Sequence, residues 1–153
     1  MNYFRMQLHP DDSGQASKHA SESISAGFVG LGFDEDPGDL TKVTPDKAQL
    51  SNNEHSYWEI LNIQKGDFIL VMSHHYPFAL VKVEEGYNYI KNPVPELGIW
   101  FNHFVRIDKL ATRYYSDYIT NPANWTKIVA IMTLQKLVKT DTLSYAVIEE
   151  MSK

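Results

Sequence analysis

The sequence contains no cysteine, and this absence excludes several kinds of chemistry. Without thiols the chain forms no disulfide, offers no thiolate to a metal ion and has no cysteine nucleophile. A chain without disulfides fits a reducing compartment. No stretch approaches the roughly 20 apolar residues of a membrane-spanning helix, and the first residues lack the basic start and apolar run of a signal peptide. We therefore expect a cytoplasmic protein with no membrane partner.

Basic residues are also scarce, since 14 Lys and Arg face 19 Asp and Glu for a net charge of −5. Most of the negative excess lies in residues 1–60, whereas the remainder of the chain is close to neutral. Indiscriminate binding to a phosphate backbone relies on a basic surface, so it is not expected here. Any contact with nucleic acid should use the second part of the chain and depend on a local patch or a specific pocket.

Aromatic residues, by contrast, are plentiful, with 9 Tyr, 7 Phe and 3 Trp among 153 residues. The length suits one domain over residues 1–153, and 43% hydrophobic residues are enough to form a core. Large rings are placed either in a core or on a binding surface. Most of these rings should be core, but several flank junctions between predicted loops and strands in the middle of the chain, namely Phe33, Trp58, Tyr76, Tyr87, Tyr89 and Trp100.

The order of apolar runs, caps and turn residues predicts a mixed α+β domain. Strands are predicted over residues 3–8, 28–33, 68–72, 78–84 with a continuation at 87–90, and 99–107. Helices are predicted over residues 13–25, 46–62 (one broken helix or two), 110–118 and 140–152, whereas residues 123–138 fit either a helix or a strand. Neighbouring strands in the middle favour a small curved sheet or open barrel with helices packed around it.

Motifs for catalysis and for metal or cofactor binding are lacking. Of six histidines only His74 and His75 are adjacent, and no metal-binding spacing occurs. The chain has no Gly-x-Ser-x-Gly nucleophile motif and no phosphate-cradling loop that ends in Gly-Lys-Ser/Thr. We therefore expect neither an enzyme nor a bound metal or cofactor.

Two features point to ligand binding instead. Gly30 and Gly32 interrupt a β-prone run, where glycine marks either close approach by a ligand or a simple bulge. Trp100 follows a turn-like segment and precedes Asn102 and His103, so polar groups surround a large ring. Flat rings stack on nucleobases with about 1–3 kcal/mol each, which needs no positive net charge.

Four blocks of the chain resemble one family. They are residues 27–33, 65–72, 79–83 and 100–107, and together with the opening strand, helix and acidic loop they span most of residues 1–150. These blocks resemble EVE-type domains of the PUA-like superfamily, which includes YTH domains. The likeness is greatest to the N-terminal EVE-like domains of McrBC-type, modification-dependent restriction enzymes. The resemblance implies a strongly curved β-barrel with flanking helices and a pocket for a modified base flipped out of its helix.

The same resemblance implies a set of binding residues. Its base-binding residues would be Gly30, Leu31, Gly32 and Phe33 on one wall, Ser73, His74, His75 and Tyr76 at the rim, and Trp100, Asn102 and His103. Its phosphate-binding residues would be Lys82, Arg106, Lys109 and Arg113, each of which is otherwise an ordinary solvated base. YTH domains carry a tryptophan where this chain has Val29-Gly30, so the cage needs another ring, such as Phe33 or Tyr76.

The first functional hypothesis is therefore a modified-nucleobase reader with methylated adenine or modified cytosine as ligand and DNA as the expected nucleic acid. It would work alone or with other domains or subunits of a restriction complex. A protein-interaction or regulatory module with a non-nucleic ligand is the second hypothesis, which the negative charge favours. A nucleotide hydrolase is the third, but it lacks a recognisable acid/base or metal group.

Overall fold

A seven-stranded mixed sheet forms the centre of the computed structural model, which describes residues 1–8, 16–44, 52–129, 132–139 and 142–153. The strands are β1 (Tyr3–Gln7), β2 (Phe28–Leu31), β3 (Phe68–Ser73), β4 (Tyr76–Tyr89), β5 (His103–Ile107), β6 (Arg113–Tyr114) and β7 (Leu134–Lys136). Their order is β2-β5-β4-β3-β1-β7, with β6 beside β4. β1 and β3 are parallel, and the other pairs are antiparallel. Among the described residues the end strands β2 and β7 do not pair, so the sheet is not closed into a barrel.

Helices surround the sheet and agree in part with the predicted ones. The α-helices are α1 (Ala16–Ala26), α2 (Tyr115–Tyr118) and α3 (Thr142–Met151). The 3-10 helices are Asn52–Asn62, Pro95–Leu97, Lys109–Ala111 and Pro122–Asn124. Helices were expected at α1, at residues 52–62 and at α3, and these are confirmed, although residues 52–62 form a 3-10 helix. The expected helix starts at residues 11–13, 44–46 and 140–141 lie wholly or partly outside the described residues. Within the described ranges, every helix is too short or too polar to cross a lipid bilayer.

Strand β4 is the longest element of the sheet and connects its two halves. It has 14 residues, and its first part pairs with β3 while its last part pairs with β5. The pairing register with β5 shifts twice, between Val83 and Glu85 and between Glu85 and Asn88. Such irregularities bend a strand and increase its twist. The predicted segments 78–84 and 87–90 are therefore parts of one bent strand.

Alternation along the central strands divides the core into two apolar layers, because successive side chains point to opposite faces of a sheet. Ile69 and Val71 enter the layer beneath α1 and the 3-10 helix Asn52–Asn62. Leu70 and Met72 enter the layer beneath α3. We call these the α1-side layer and the α3-side layer. The sheet is buried on both faces, which explains why β3 reads as an unbroken apolar run.

Two predicted elements are wrong in part. The strand expected over residues 99–107 begins only at His103. The preceding residue, Asn102, instead donates its side-chain amide to the carbonyls of Ile90 and Lys91, which fixes an irregular loop. The helix expected over residues 110–118 is interrupted because Arg113 and its neighbour pair with β4, and only its last four residues are α-helical.

Candidate ligand site

The candidate site is built on the pairing of β2 with β5. Gly30 lies opposite Phe104, and Leu31 lies opposite His103. A Cβ atom on Gly30 would lie only 2.4 Å from the carbonyl oxygen of His103 and 2.9 Å from Cβ of Phe104. The space beside Gly30 is therefore filled by the neighbouring strand, and close packing of two strands accounts for this glycine.

Gly32, two residues further on, is less closely packed. A Cβ atom there would have as its nearest neighbour Cδ1 of Phe101, at 3.9 Å. The residue is exposed, and the half-buried Phe33 follows it. Of the two glycines that the sequence singled out, Gly32 is the one whose backbone a ligand can approach.

Five side chains converge next to this open backbone, and we call them the His103 cluster: Phe33, Asp36, Tyr87, Tyr89 and His103. The imidazole of His103 is completely buried. The ring of Phe33 meets it edge to face, with centroids 4.9 Å apart, and Tyr89 lies at 5.1 Å. Tyr87 is parallel to it at 6.0 Å. Strands β4 and β5 and the loop after β2 thus bring three aromatic rings and one carboxylate around a single histidine.

Hydrogen bonds connect the cluster to the loop after β2. The hydroxyl of Tyr87 lies 2.8 Å from Nδ1 of His103, and Nε2 of His103 lies 3.0 Å from Oδ1 of Asp36. Tyr89 donates its hydroxyl hydrogen to Oδ2 of Asp36 at 2.7 Å. The amide of Gly38 donates to Oδ1 of the same carboxylate at 3.0 Å. The loop is therefore held against the strands by its own carboxylate.

The direction of these bonds follows from the carboxylate of Asp36. An ionised carboxylate can only accept, so Nε2 of His103 donates to it and carries the proton of the neutral imidazole. Nδ1 of His103 then accepts from the hydroxyl of Tyr87. The oxygen of that hydroxyl accepts from the N–H of Leu40 at 3.0 Å. Each of these four groups has a partner when His103 is neutral and Asp36 is ionised.

The electrostatics of the cluster favour the same protonation states. Burial lowers the pKa of His103, and its bond to Asp36 opposes this only in part. Burial pushes the pKa of Asp36 upward, but the hydrogen bonds that it accepts outweigh this effect, so the pKa of this carboxyl lies below its usual value. Burial raises the pKa of Tyr87 to about 12, and the bond to Asp36 raises the pKa of Tyr89 to about 12. Both hydroxyls therefore stay protonated and act as donors.

Trp100 lies in the loop before β5. It is half buried against the α1-side layer, and its ring stacks on His19 of α1 with centroids 4.1 Å apart. One face of the Trp100 ring is thus covered by the imidazole of His19. Asn102, also predicted to contact a base, is held by the carbonyls of Ile90 and Lys91.

The predicted rim, Ser73–Tyr76, is not brought next to the His103 cluster along β4. Tyr76 begins this strand, and Tyr87 lies eleven residues further along it, near its other end. The rim contacts a different set of residues. The carbonyl of His75 accepts from the amide of Ile128 at 2.6 Å, and Tyr76 meets the ring of Trp125.

The four predicted phosphate-binding residues are exposed but differ in their contacts. Arg106 on β5 pairs with Glu85 at 3.2 Å, and both side chains are more than half exposed. The ammonium of Lys82 lies 5.9 Å from the ring centre of Phe68. Arg113 donates to carbonyls at the end of α3, those of Met151 and Lys153. The aliphatic part of Lys109 lies close to Gly27, and of the four only Arg106 is on the strand that carries His103.

Sequence reasoning missed Asp36 as a member of the site. The residue is 67 positions from His103, and an acidic loop with Pro-Gly is an ordinary solvated turn in sequence. Only Tyr87 and Tyr89 indicated this part of the site in the sequence, because they are aromatic residues at alternate positions near the end of a predicted strand. Their connection to a carboxylate depends on tertiary pairing alone.

Comparison with known proteins identifies no relative: no protein-family model matches the chain, and no curated protein is similar to it in sequence. In the part of the chain that the structure describes, no three carboxylate or histidine side chains are grouped so that they could hold a metal ion. The site therefore has to be interpreted from its own geometry.

Proposed function

We propose that this chain is a modified-nucleobase reader, an EVE-like domain of the PUA-like superfamily that binds a flipped base at the His103 cluster, most readily in DNA. The observation that carries the proposal is the carboxylate of Asp36, which is 30% accessible and is hydrogen-bonded to Tyr89 and His103, the imidazole of which also meets the ring of Phe33. Flat rings and one fixed polar group are what recognition of a base requires.

The free energies expected for binding a flipped base are compatible with the negative net charge of the chain. Extraction of a base from a helix costs a few kcal/mol, and each ring that stacks on it returns about 1–3 kcal/mol. Neither contribution needs a basic surface, so the net charge of −5 is compatible with it. The rigid pairing of β2 with β5 holds the ring of Phe33 and the imidazole of His103 in place before a ligand binds, which reduces the entropy lost on binding.

Phosphate contacts are proposed at Arg106, which is on the same strand as His103. Its ion pair with Glu85 is exposed, and exposed pairs contribute only about 0–1 kcal/mol. Arg106 can therefore exchange Glu85 for a phosphate at small cost. Arg113 is less available because it holds the end of α3.

The test is a titration monitored by anisotropy of labelled oligonucleotides that carry N6-methyladenine, 5-methylcytosine, 5-hydroxymethylcytosine or no modification. We expect a preference for one modified base. Phe33→Ala should weaken binding of that base by about 5- to 150-fold, the loss expected for one ring that stacks on it. Tyr118→Ala is the matched control, because Tyr118 is an exposed ring on α2, and it should bind like wild type.

Salt dependence provides the second readout. A reader that neutralises phosphates loses affinity steeply as salt concentration rises, since counterions are released on binding. Failure to bind any of the oligonucleotides, in a folded protein, would contradict the proposal. It would instead favour a protein-interaction or regulatory module with a non-nucleic ligand.

A further inference from the structure

The carboxylate of Asp36 has a countable number of free hydrogen-bond positions. An ionised carboxylate accepts only, at about four lone-pair positions on its two oxygens. Oδ1 accepts from the amide of Gly38 and from Nε2 of His103, and Oδ2 accepts from the hydroxyl of Tyr89. One acceptor position on Oδ2 remains, and the side chain is 30% exposed.

Hydrogen bonds from residues more deeply buried than Asp36 hold its carboxylate in this arrangement. Since the ionised carboxylate of Asp36 can only accept, the hydrogen bonds run from the amide of Leu40 through Tyr87 and His103 to Asp36. His103 thus acts as a positioning residue: it is completely buried, and its N–H holds one carboxylate oxygen. The carboxylate cannot present a donor to a ligand without protonation, and its bonds oppose protonation.

We infer that Asp36 selects a base with an exocyclic amino group over a base that carries oxygen at the same position, an inference that rests on the reader function proposed above. An amino N–H completes the fourth acceptor position of the carboxylate. A carbonyl or ether oxygen placed there faces another acceptor, so neither group gains a bond and both lose water. Adenine and cytosine present such an amino group on their exposed edges.

The test compares base analogues in which an ether oxygen replaces this N–H; in the two cytosine pairs, the N4-methyl form of the amino base is the matched control for the added methyl group. N6-methyladenine is paired with O6-methylhypoxanthine, 5-methylcytosine with O4-methylthymine, and 5-hydroxymethylcytosine with its O4-methyl analogue, so that the ring nitrogen beside the group stays an acceptor in each pair. For the base that binds, we expect the amino form to bind about 10- to 150-fold more tightly, the range for a hydrogen bond to a charged group.

Variants identify the residue responsible. In Asp36→Asn the preference should fall toward equality, because an amide can offer an N–H to the oxygen analogue. The matched control is Asp39→Asn, which removes a charge from the same loop at a carboxylate that accepts from Thr41, and it should keep the preference. If Asp36→Asn does not fold, Tyr89→Phe serves instead: it retains ring and carboxylate, frees a second acceptor position, and must not reduce the preference.

The outcomes separate the two proposals. Equal affinity for the amino and oxygen forms in wild type would overturn the inference and leave the reader function intact. A preference that survives in folded Asp36→Asn would also overturn it, because another group would then read the amino edge. Failure of wild type to bind any modified oligonucleotide would overturn the reader function, and the inference with it.

Discussion

His103 shows how far a residue's role depends on partners that are distant in sequence. Its position after Trp100 predicted a polar contact to a base. The structure instead buries it between Tyr87, 16 positions away, and Asp36, 67 positions away. Local sequence patterns carry no information on bonds of such separation, because they form only after β4, β5 and the loop after β2 come together. The residue was predicted as part of the site, and its contacts were not.

Acid should destabilise the protein through His103. The pKa of His103 is lowered from 6.5 by burial, so the unfolded chain takes up a proton at higher pH than the folded one. The contribution to stability is complete above about pH 6.5 and is lost as pH falls through the lower folded pKa. The lowered pKa of Asp36 adds a further loss below about pH 4.

Urea unfolding at about pH 7.5 and about pH 5 measures this effect. Wild type should show a lower free energy of unfolding at the acidic pH, and His103→Gln should show a smaller difference between the two. His55→Gln, which removes an exposed imidazole, is the matched control and should resemble wild type. An unchanged pH dependence in His103→Gln would mean that His103 is protonated as readily in the folded as in the unfolded chain.

The pairing of β2 with β5 leaves no room for a side chain at Gly30, whereas Gly32, two residues further on, has room for one. Gly30→Ala should destabilise the protein by roughly 1–3 kcal/mol, the cost of overpacking, because the new Cβ would lie 2.4 Å from the carbonyl oxygen of His103. Gly32→Ala should stay within about 0.5 kcal/mol of wild type, since its nearest atom is 3.9 Å away. Thermal or urea unfolding of the two variants is the measurement.

The same two variants separate structural from binding roles. Gly32→Ala should fold normally and weaken binding of the modified base if the ligand approaches the backbone there. Equal stability of the two variants would show that β2 and β5 can move apart at Gly30 without loss. It would also remove the packing explanation for that glycine.

Individual elements were predictable where residues close together in sequence decide them. β1, β3 and α3 follow from apolar runs and caps, and the structure confirms them. An element that depends on pairing with a distant segment was missed. β6 forms because Arg113 and Tyr114 pair with Leu80 and Ala79 of β4. The continuation of β4 past Gly86 was predicted, but the irregular pairing that bends the strand at Glu84, Glu85 and Gly86 was not.

The whole molecule should unfold as one unit, because the same strands supply both apolar layers. Ile69 contributes to the α1-side layer and Leu70 to the α3-side layer from adjacent positions of β3. Ile69→Ala and Leu70→Ala should each lower the free energy of unfolding by about 2–5 kcal/mol. Each variant should retain a single transition.

Two tryptophans report on the two layers separately. Trp58 packs against the α1-side layer and Trp125 against the α3-side layer. Trp100 also packs against the α1-side layer, so the two backgrounds are Trp58→Phe with Trp100→Phe, and Trp125→Phe. Unfolding followed by fluorescence in both should give midpoints that coincide with far-ultraviolet circular dichroism. Separate midpoints in Leu70→Ala would show instead that the α3-side layer unfolds independently of the sheet.

The sequence by itself determined the α+β composition, the order of most strands and helices, and the region where aromatic and polar residues meet. These depend on periodicity, caps and breakers, which act over a few residues. Only the tertiary structure decided that Gly30 is a packing glycine, that Ser73–Tyr76 and the His103 cluster lie at opposite ends of β4, and that Asp36 is the exposed carboxylate of the site. The physical reason is that each depends on strand pairing or on hydrogen bonds between residues far apart in the chain.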